Sequence, residues 1–253
     1  MRACCWFGLA VYVVVEPNAL ESERFGVVAA GVRDPDASPQ ALNSAAEALG
    51  VQMLVVRIHC HDHSRIHTLE ADGFRLMDTI VHYERSLSEL PPPSSQSGDV
   101  TIRRARPQDA SAVADVARAA FSNYIGHYHA DPRLQPAAAD AAYVEWAEGS
   151  VGRQSETEEA IVLFCAERLG GFLTLRRSSP ADIEIVLNAV HPDLQRRGLY
   201  ERLLAEAMVR GQKSGADRIT VSTQVNNFPV QRAWATLGFR LVRSQHTFHK
   251  WYF

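Results

Sequence analysis

The stretch of this sequence best equipped for chemistry is an apolar run that breaks into a basic, glycine-bearing loop. Ile183 to Val190 is apolar and strand-like, His191-Pro192-Asp193-Leu194 interrupts it, and Gln195-Arg196-Arg197-Gly198-Leu199-Tyr200 runs into a helical pattern. A helix start offers unpaired backbone N–H groups and a partial positive charge. Together these suit a pyrophosphate, and Arg196, Arg197 and Arg202 add charge nearby. Spacing alone leaves a plain strand-to-helix turn with solvated arginines equally open. On the strand, alternation puts Glu184, Val186, Asn188 and Val190 on one face, with Asp182 as a second carboxylate on it. A further group, His59-Cys60-His61-Asp62-His63 with His67 beyond, has the residue types of a metal site. On a strand, His59, His61 and His63 would share a face compatible with zinc. The segment falls where a strand turns into a helix, however, and no second ligand group follows at useful spacing. We read solvated or domain-interface histidines and expect no metal.

The elements that must hold these residues follow from composition and punctuation. The chain has 253 residues, 46% hydrophobic and 22% charged, as suits a globular protein of two small domains. A formal net charge of -3 and a pI near 6.4 point to neither nucleic acid nor a membrane surface as partner. Cys4, Cys5, Cys60 and Cys165 form no CxxC pair, so a reducing cytoplasm is the expected compartment. The apolar run Trp6 to Val15 is far shorter than the ~20 residues a membrane helix needs. One Arg precedes it and no small-x-small site follows, so it reads as a buried first strand rather than an export signal.

Leu90 to Gly98, with Pro91, Pro92 and Pro93 followed by small polar residues, continues neither a helix nor a central strand. This gives a domain at 1–90, a linker at 91–98 and a second domain at 99–253. The two domains share a pattern at an offset of 165 residues: Asp72-Gly73-Phe74-Arg75-Leu76 lies over Leu237-Gly238-Phe239-Arg240-Leu241, Met53 to Arg57 over Arg218 to Ser222, and Asp62 over Asn227. Strand, polar loop, short helix, Gly-Phe turn and strand recur in both, which suggests a duplication. In the second domain we expect strands at 100–103, 160–166, 171–176, 183–190, 218–223 and 240–252. Helices are expected from Pro107-Gln108-Asp109, with Asp109 as cap, and over 198–214. Arg168-Leu169-Gly170-Gly171 reads as a hairpin turn. The fold class is α/β (α+β): two mixed-sheet domains, the first truncated and lacking a glycine-bearing loop, the second complete.

The loop resembles that of the GNAT superfamily of N-acetyltransferases, whose acetyl-CoA motif reads Q/R-x-x-G-x-G/A. Gln195-Arg196-Arg197-Gly198-Leu199-Tyr200 follows it, except that Tyr200 stands where Gly or Ala is usual; its side chain must point away from the phosphates. A second family feature, an Asn before a helix closed by a Gly-Phe turn, is matched by Asn227, the helix Pro229 to Thr236, and Leu237-Gly238-Phe239. The resemblance covers the whole second domain. Within the superfamily the chain is most similar to the TDP-fucosamine acetyltransferase group, which pairs a truncated N-terminal GNAT half with a complete one. Glu23-Arg24-Phe25-Gly26, Phe74-Arg75-Leu76 and His127-Tyr128-His129-Ala130-Asp131-Pro132 carry that likeness.

What the resemblance implies is transfer of an acetyl group from acetyl-CoA to a primary amine of a small polar acceptor, an amino sugar or nucleotide-linked amino sugar. A protein Lys or N-terminal acetyltransferase and a non-catalytic acyl-CoA-binding module are the alternatives. An alkylamine with pKa near 10 attacks a thioester only after losing a proton. Glu184 matches the family's catalytic glutamate in register. Main-chain groups of Asn188, Ala189 and Val190 are expected to bind the acyl carbonyl and pantetheine, and Gln195 to Tyr200 the pyrophosphate, with Asn227 beside the cofactor. The family's acid Tyr, seven residues after the Asn, is here Trp234, whose indole has no usable acid proton. It is expected to pack on the pantetheine arm, leaving Tyr200, His246, His249 and Tyr252 as candidate acids. His127, Tyr128, His129 and Arg133 are candidates for the acceptor. Family habit implies a homodimer.

Overall fold

Residues 14–88 and 99–252 are described by the structure, a computed structural model. The predicted linker and most of the run Trp6 to Val15 lie outside the described residues. The elements in chain order begin with β1 (Val15–Pro17), α1 (Ala19–Phe25), β2 (Ala29–Val32), α2 (Pro39–Ala48), β3 (Met53–His59), α3 (His63–Ala71) and β4 (Arg75–Ser86). There follow β5 (Val100–Arg104), α4 (Ala110–Phe121), the single-turn α5 (His127–Ala130), α6 (Pro136–Gly152), β6 (Glu158–Cys165) and β7 (Arg168–Arg177). The last are β8 (Asp182–Val190), α7 (Leu199–Lys213), β9 (Arg218–Gln224), α8 (Phe228–Thr236) and β10 (Arg240–Trp251).

The offset of 165 residues holds through these elements: β3, α3 and β4 have the same bounds, shifted, as β9, α8 and β10. Each helix is left through a glycine in the left-handed region, Gly73 at φ +85° and Gly238 at φ +80°, where a side chain would be strained. Phe74 and Phe239 follow, both buried, and anchor the strand that begins there. The helix starts differ. Asp62 accepts a hydrogen bond from the Arg65 N–H at 3.0 Å, whereas Asn227 makes no such capping bond.

The chain divides into two compact units that are discontinuous in sequence: residues up to Ile80 with Ile125–Ala138 and Arg243–Phe253, and Val81–Tyr124 with Ala139–Val242. Each repeat therefore gives part of its last strand to the other repeat's unit. In the first unit β2 runs antiparallel to β1 and parallel to β3, and β10 lies antiparallel to β3, with Trp251 opposite Met53. Leu42 and Ala46 of α2, Leu69 of α3, Leu54 and Val56 of β3, Phe74 and Phe248 form its core.

In the second unit the strand order is β4-β9-β8-β7-β6-β5, parallel at β8–β9 and antiparallel from β8 through β7 and β6 to β5. One face packs Leu173 and Ile185 against Leu203, Leu204 and Met208 of α7 and Trp234 of α8. The other packs Phe172 and Leu187 against Val113 and Val116 of α4 and Tyr143 and Val151 of α6. Burial of each such side chain stabilises by about 1.5–3 kcal/mol. The architecture is mixed α/β, and among the described residues no helix is long and apolar enough to cross a membrane.

Two local expectations are corrected. The hairpin turns at Ala166 (φ +53°), ahead of Gly170 and Gly171, which lie inside β7. Their glycines serve close packing: a Cβ on Gly170 would meet Leu194 at 2.6 Å, and one on Gly171 would meet the Ala189 carbonyl at 3.0 Å. Asp109 precedes α4 but does not cap it through its side chain. Its carboxylate accepts instead from the forked Arg103 guanidinium and the Arg106 N–H, and the Arg103 hydrogen bonds hold it below the ordinary carboxylate range.

Candidate functional site

β8 lies between two neighbours and leaves one of them early. Its parallel pairing with β9 covers Asp182 to Ile185 and stops at the Ile185–Val221 pair, whereas pairing with β7 continues to Val190 opposite Gly171. Beyond Ile185, among the described residues, the β9-side edge of Asn188, Ala189 and Val190 is therefore unpaired, and it runs toward the basic loop. A bulge at Val186 accompanies the departure: Thr174 pairs with Leu187 and Leu175 with Ile185, skipping one residue. The Thr174 hydroxyl fills the gap in the ladder, accepting from the Leu187 N–H at 3.0 Å and lying 3.2 Å from its carbonyl oxygen.

The bulge changes which side chains share a face, because one extra residue inverts the alternation. Ile183 and Ile185 face α7, but after the bulge Leu187 and Ala189 face α4 and α6, and Val190 faces α7. Asn188 thus shares the α7 face with Val190, and Glu184 lies on the opposite one. The expectation that Glu184, Val186, Asn188 and Val190 form a single face is corrected. Glu184 meets Arg176 across the strand pair, Nη2 to Oε2 at 2.7 Å, on the side where Trp146 and Ser150 of α6 line a small polar cavity with Arg176 and Val186.

The loop after β8 is built from special backbone. Pro192–Leu194 forms a 3-10 turn, Arg196 takes φ +60° and Gly198 φ +69° at the start of α7. Gln195 through Gly198 are exposed. Among the described residues no acceptor reaches the N–H groups from Arg196 to Glu201, and the first bond of the new helix runs from the Arg202 N–H to the Gly198 carbonyl. Successive open N–H groups in left-handed turns form an anion-binding nest. The Gln195 amide donates to the Val190 carbonyl at 3.3 Å and ties the loop to the free end of β8. The Arg197 guanidinium donates to the Asp193 carbonyl at 3.4 Å.

Tyr200 turns away from this nest into the core face of α7. Its hydroxyl donates to Asn188 Oδ1 at 2.8 Å and accepts from Trp234 Nε1 at 2.9 Å. The two positions that depart from the family pattern thus complete each other. Trp234 is fully buried and sits edge-on to Tyr83, with ring centroids 5.3 Å apart. Burial pushes the Tyr200 phenol well above its ordinary value, and the Trp234 hydrogen bond offsets only part of that. Asn227 donates from its amide to the Thr223 hydroxyl at 3.0 Å.

The sequence pattern of the acetyltransferase (GNAT) family matches residues 123–239. Over that stretch the chain is similar to the GNAT family. It is 29% identical over 93 residues to the uncharacterized N-acetyltransferase YvbK of Bacillus subtilis strain 168, covering 37% of this chain and 60% of that protein. It is 26% identical over 147 residues to the spore coat polysaccharide biosynthesis protein SpsD of the same organism, covering 57% and 48%. The chain thus spans about half to three fifths of the length of these curated relatives, 60% of one and 48% of the other. The fold is similar to the crystal structure of a GCN5-related N-acetyltransferase from Sphaerobacter thermophilus, with a TM-score of 0.67 and 13% identity over 94% of this chain and 76% of that one.

The remaining candidates lie in the first unit. His246 pairs through Nδ1 with the Thr79 hydroxyl at 2.8 Å. His249 is buried, with Nδ1 2.8 Å from Asp131 Oδ2 and Nε2 2.9 Å from His127 Nδ1. Asp131 also accepts from Trp251 Nε1 and the Arg133 N–H. Burial pushes this carboxyl up, but the bonds from His249, Trp251 and the Arg133 N–H outweigh it and hold the carboxyl at about 2. An ionised Asp131 can only accept, so His249 donates to it from Nδ1. Burial first, and then the charges of His249, Arg57 and His129, lowers the His127 pKa well below the ordinary value, so this ring stays neutral. Tyr128 packs on His127 at 3.9 Å between centroids and donates to Glu21 at 2.7 Å. His129 Nδ1 accepts from the Gly126 N–H, and the exposed Arg133 lies over the Trp251 ring at 5.7 Å.

Sequence reading missed Asp131 and Trp251 as the partners that orient these histidines. The available signal was Asp131-Pro132, a turn dipeptide closing a His-rich segment. His59 and His61 contact each other with centroids 5.3 Å apart, and among the described residues no group of His, Cys, Asp and Glu side chains is arranged to hold a metal.

Proposed function

We propose that the second unit binds acetyl-CoA and passes its acetyl group to a primary amine of a small polar acceptor, an amino sugar or nucleotide-linked amino sugar. The observation that carries this reading is the departure of β8 from β9 after Ile185, directly before a nest of open N–H groups. A cofactor with a diphosphate at one end and an amide-bearing arm needs both features together: N–H donors for the phosphates, and a free strand edge to pair with the arm's amides. Acetyl-CoA supplies an activated acyl carbon and a thiolate leaving group.

In this reading Arg196, Arg197, Gly198, Leu199 and Tyr200 bind the pyrophosphate through main-chain N–H groups, and Asn188, Ala189 and Val190 bind the arm. Glu184 takes the proton from the incoming amine on the α6 side of β8, and Arg176 holds the carboxylate in place. Tyr200 keeps its proton, because burial raises its pKa, so it positions groups and is no acid. The departing thiolate, whose conjugate acid is near pKa 8.5, takes a proton from water. Within the first unit His246 and His249 each have partners, and we give neither an acid role. The acceptor class draws support from the name of SpsD, a protein of spore coat polysaccharide biosynthesis. Free thiols at Cys60 and Cys165 suit a reducing cytoplasm as the place of reaction.

Calorimetric titration with acetyl-CoA, followed by a thiol-release assay over a panel of nucleotide-linked amino sugars, small amines and peptides, tests the proposal. Binding with turnover of an amino sugar is expected. Turnover of peptides alone would overturn the acceptor class, and absence of acetyl-CoA binding would overturn the loop assignment.

A further inference from the structure

We propose that the side-chain amide of Asn188 donates a hydrogen bond to the acyl carbonyl oxygen of the bound thioester, and that Tyr200 and Trp234 hold that amide in the orientation this requires. The inference rests on the acyl-CoA reading of the loop and adds a side-chain contact where main-chain contacts alone were expected.

The argument is one of hydrogen-bond polarity. An indole N–H can only donate, so at 2.9 Å Trp234 Nε1 must give its proton to the Tyr200 oxygen. The single proton of that hydroxyl needs an acceptor, and among the described residues the only other atom that reaches it is on Asn188 at 2.8 Å, so that atom is Oδ1. The amide is thereby fixed with Oδ1 toward Tyr200 and the NH2 group turned outward. With Trp234 fully buried and the phenol pushed up by burial, the direction of the chain does not reverse at working pH. Such chains also polarise one another and strengthen the last donor.

Location supplies the second half. Asn188 lies three residues past the last β8–β9 pair, on the unpaired stretch of β8, and shares a face with Val190. It is half-buried, and among the described residues no acceptor reaches its Nδ2. A partly buried amide that is held by its oxygen alone, beside an open strand edge, calls for a ligand carbonyl. The substitution of Trp for Tyr at position 234 gains a physical reason: a tyrosine hydroxyl there could either donate or accept, whereas indole allows one direction.

The test compares two ligands of nearly equal size, the carba analogue of acetyl-CoA, which keeps the carbonyl but has CH2 in place of sulfur, and S-ethyl-CoA, which has no carbonyl. Calorimetric Kd values are measured for the wild type and for Asn188→Ala, Asn188→Asp and Tyr200→Phe. The two Asn188 variants should weaken the carba analogue about tenfold, the size of one well-placed hydrogen bond, and change S-ethyl-CoA less than twofold. Tyr200→Phe should show the same selectivity at about threefold, because the amide can then flip. Retained S-ethyl-CoA affinity reports an intact loop in each variant. Equal losses for both ligands, or none for either, would overturn the role of Asn188 and leave the acyl-CoA reading standing. A wild type that binds neither ligand would overturn both.

Discussion

Gly198→Ala separates what the loop's backbone does from what its charges do. Gly198 opens α7 at φ +69° and ψ +11°, and a Cβ there would have no heavy atom within 4 Å. The substitution therefore adds no clash, only the cost of holding an L-residue in the left-handed region, about 1–2 kcal/mol. That cost must surface somewhere. If packing holds the loop, folding stability falls by the full amount and affinity for CoA is unchanged. If the free loop relaxes and the cofactor must restore it, stability is kept and affinity falls by a factor of about 5 to 30. Either way, the stability loss from urea unfolding and the binding loss from calorimetry should sum to about 1–2 kcal/mol. A variant equal to wild type in both measurements would refute the idea that this backbone conformation is needed for binding.

Gly198→Glu adds a carboxylate among the N–H groups and should abolish CoA binding in the same titration; retained affinity would remove the phosphates from this loop. Glu184→Gln is expected to lower kcat more than it raises the KM for acetyl-CoA, and an unchanged kcat would end its assignment as base. Asp131→Asn removes the charge shared by His249, Trp251 and the Arg133 N–H and should cost about 2–4 kcal/mol at pH 7. Because native Asp131 is held at about 2, against an ordinary 3.8, the native state binds fewer protons than the unfolded one. Its contribution, about 2 kcal/mol, is present above pH 3.8 and is lost as pH falls to about 2. Wild-type and variant stability curves should therefore converge in acid, and parallel curves would count against the buried pair.

What the sequence determined by itself was set by local rules. The Gly-Phe turns at 73–74 and 238–239 are legible because a left-handed helix exit favours glycine whatever surrounds it. The offset of 165 residues runs through β3, α3 and β4 and through β9, α8 and β10 with unchanged bounds, since each element follows from its own pattern of apolar and polar residues. The turn into α7 from Gln195 to Tyr200 was equally readable as a conformation, because Gly198 takes the left-handed region at the helix start.

Tertiary structure decided whatever depends on a partner strand or a distant residue. Gly170 and Gly171 look like a turn, yet they sit within β7 because Leu194 and the Ala189 carbonyl approach too closely for a Cβ. Alternation placed Glu184 and Asn188 together. The bulge at Val186 parts them, and nothing in β8 alone announces it, since it arises where β8 pairs with β7. Tyr200 and Trp234 read singly as two departures from a family pattern, and only their hydrogen bond shows a single compensated pair. His249 and Asp131 are 118 residues apart, and a sequence pattern, which records spacing along the chain, has no means of recording that the fold brings them to 2.8 Å.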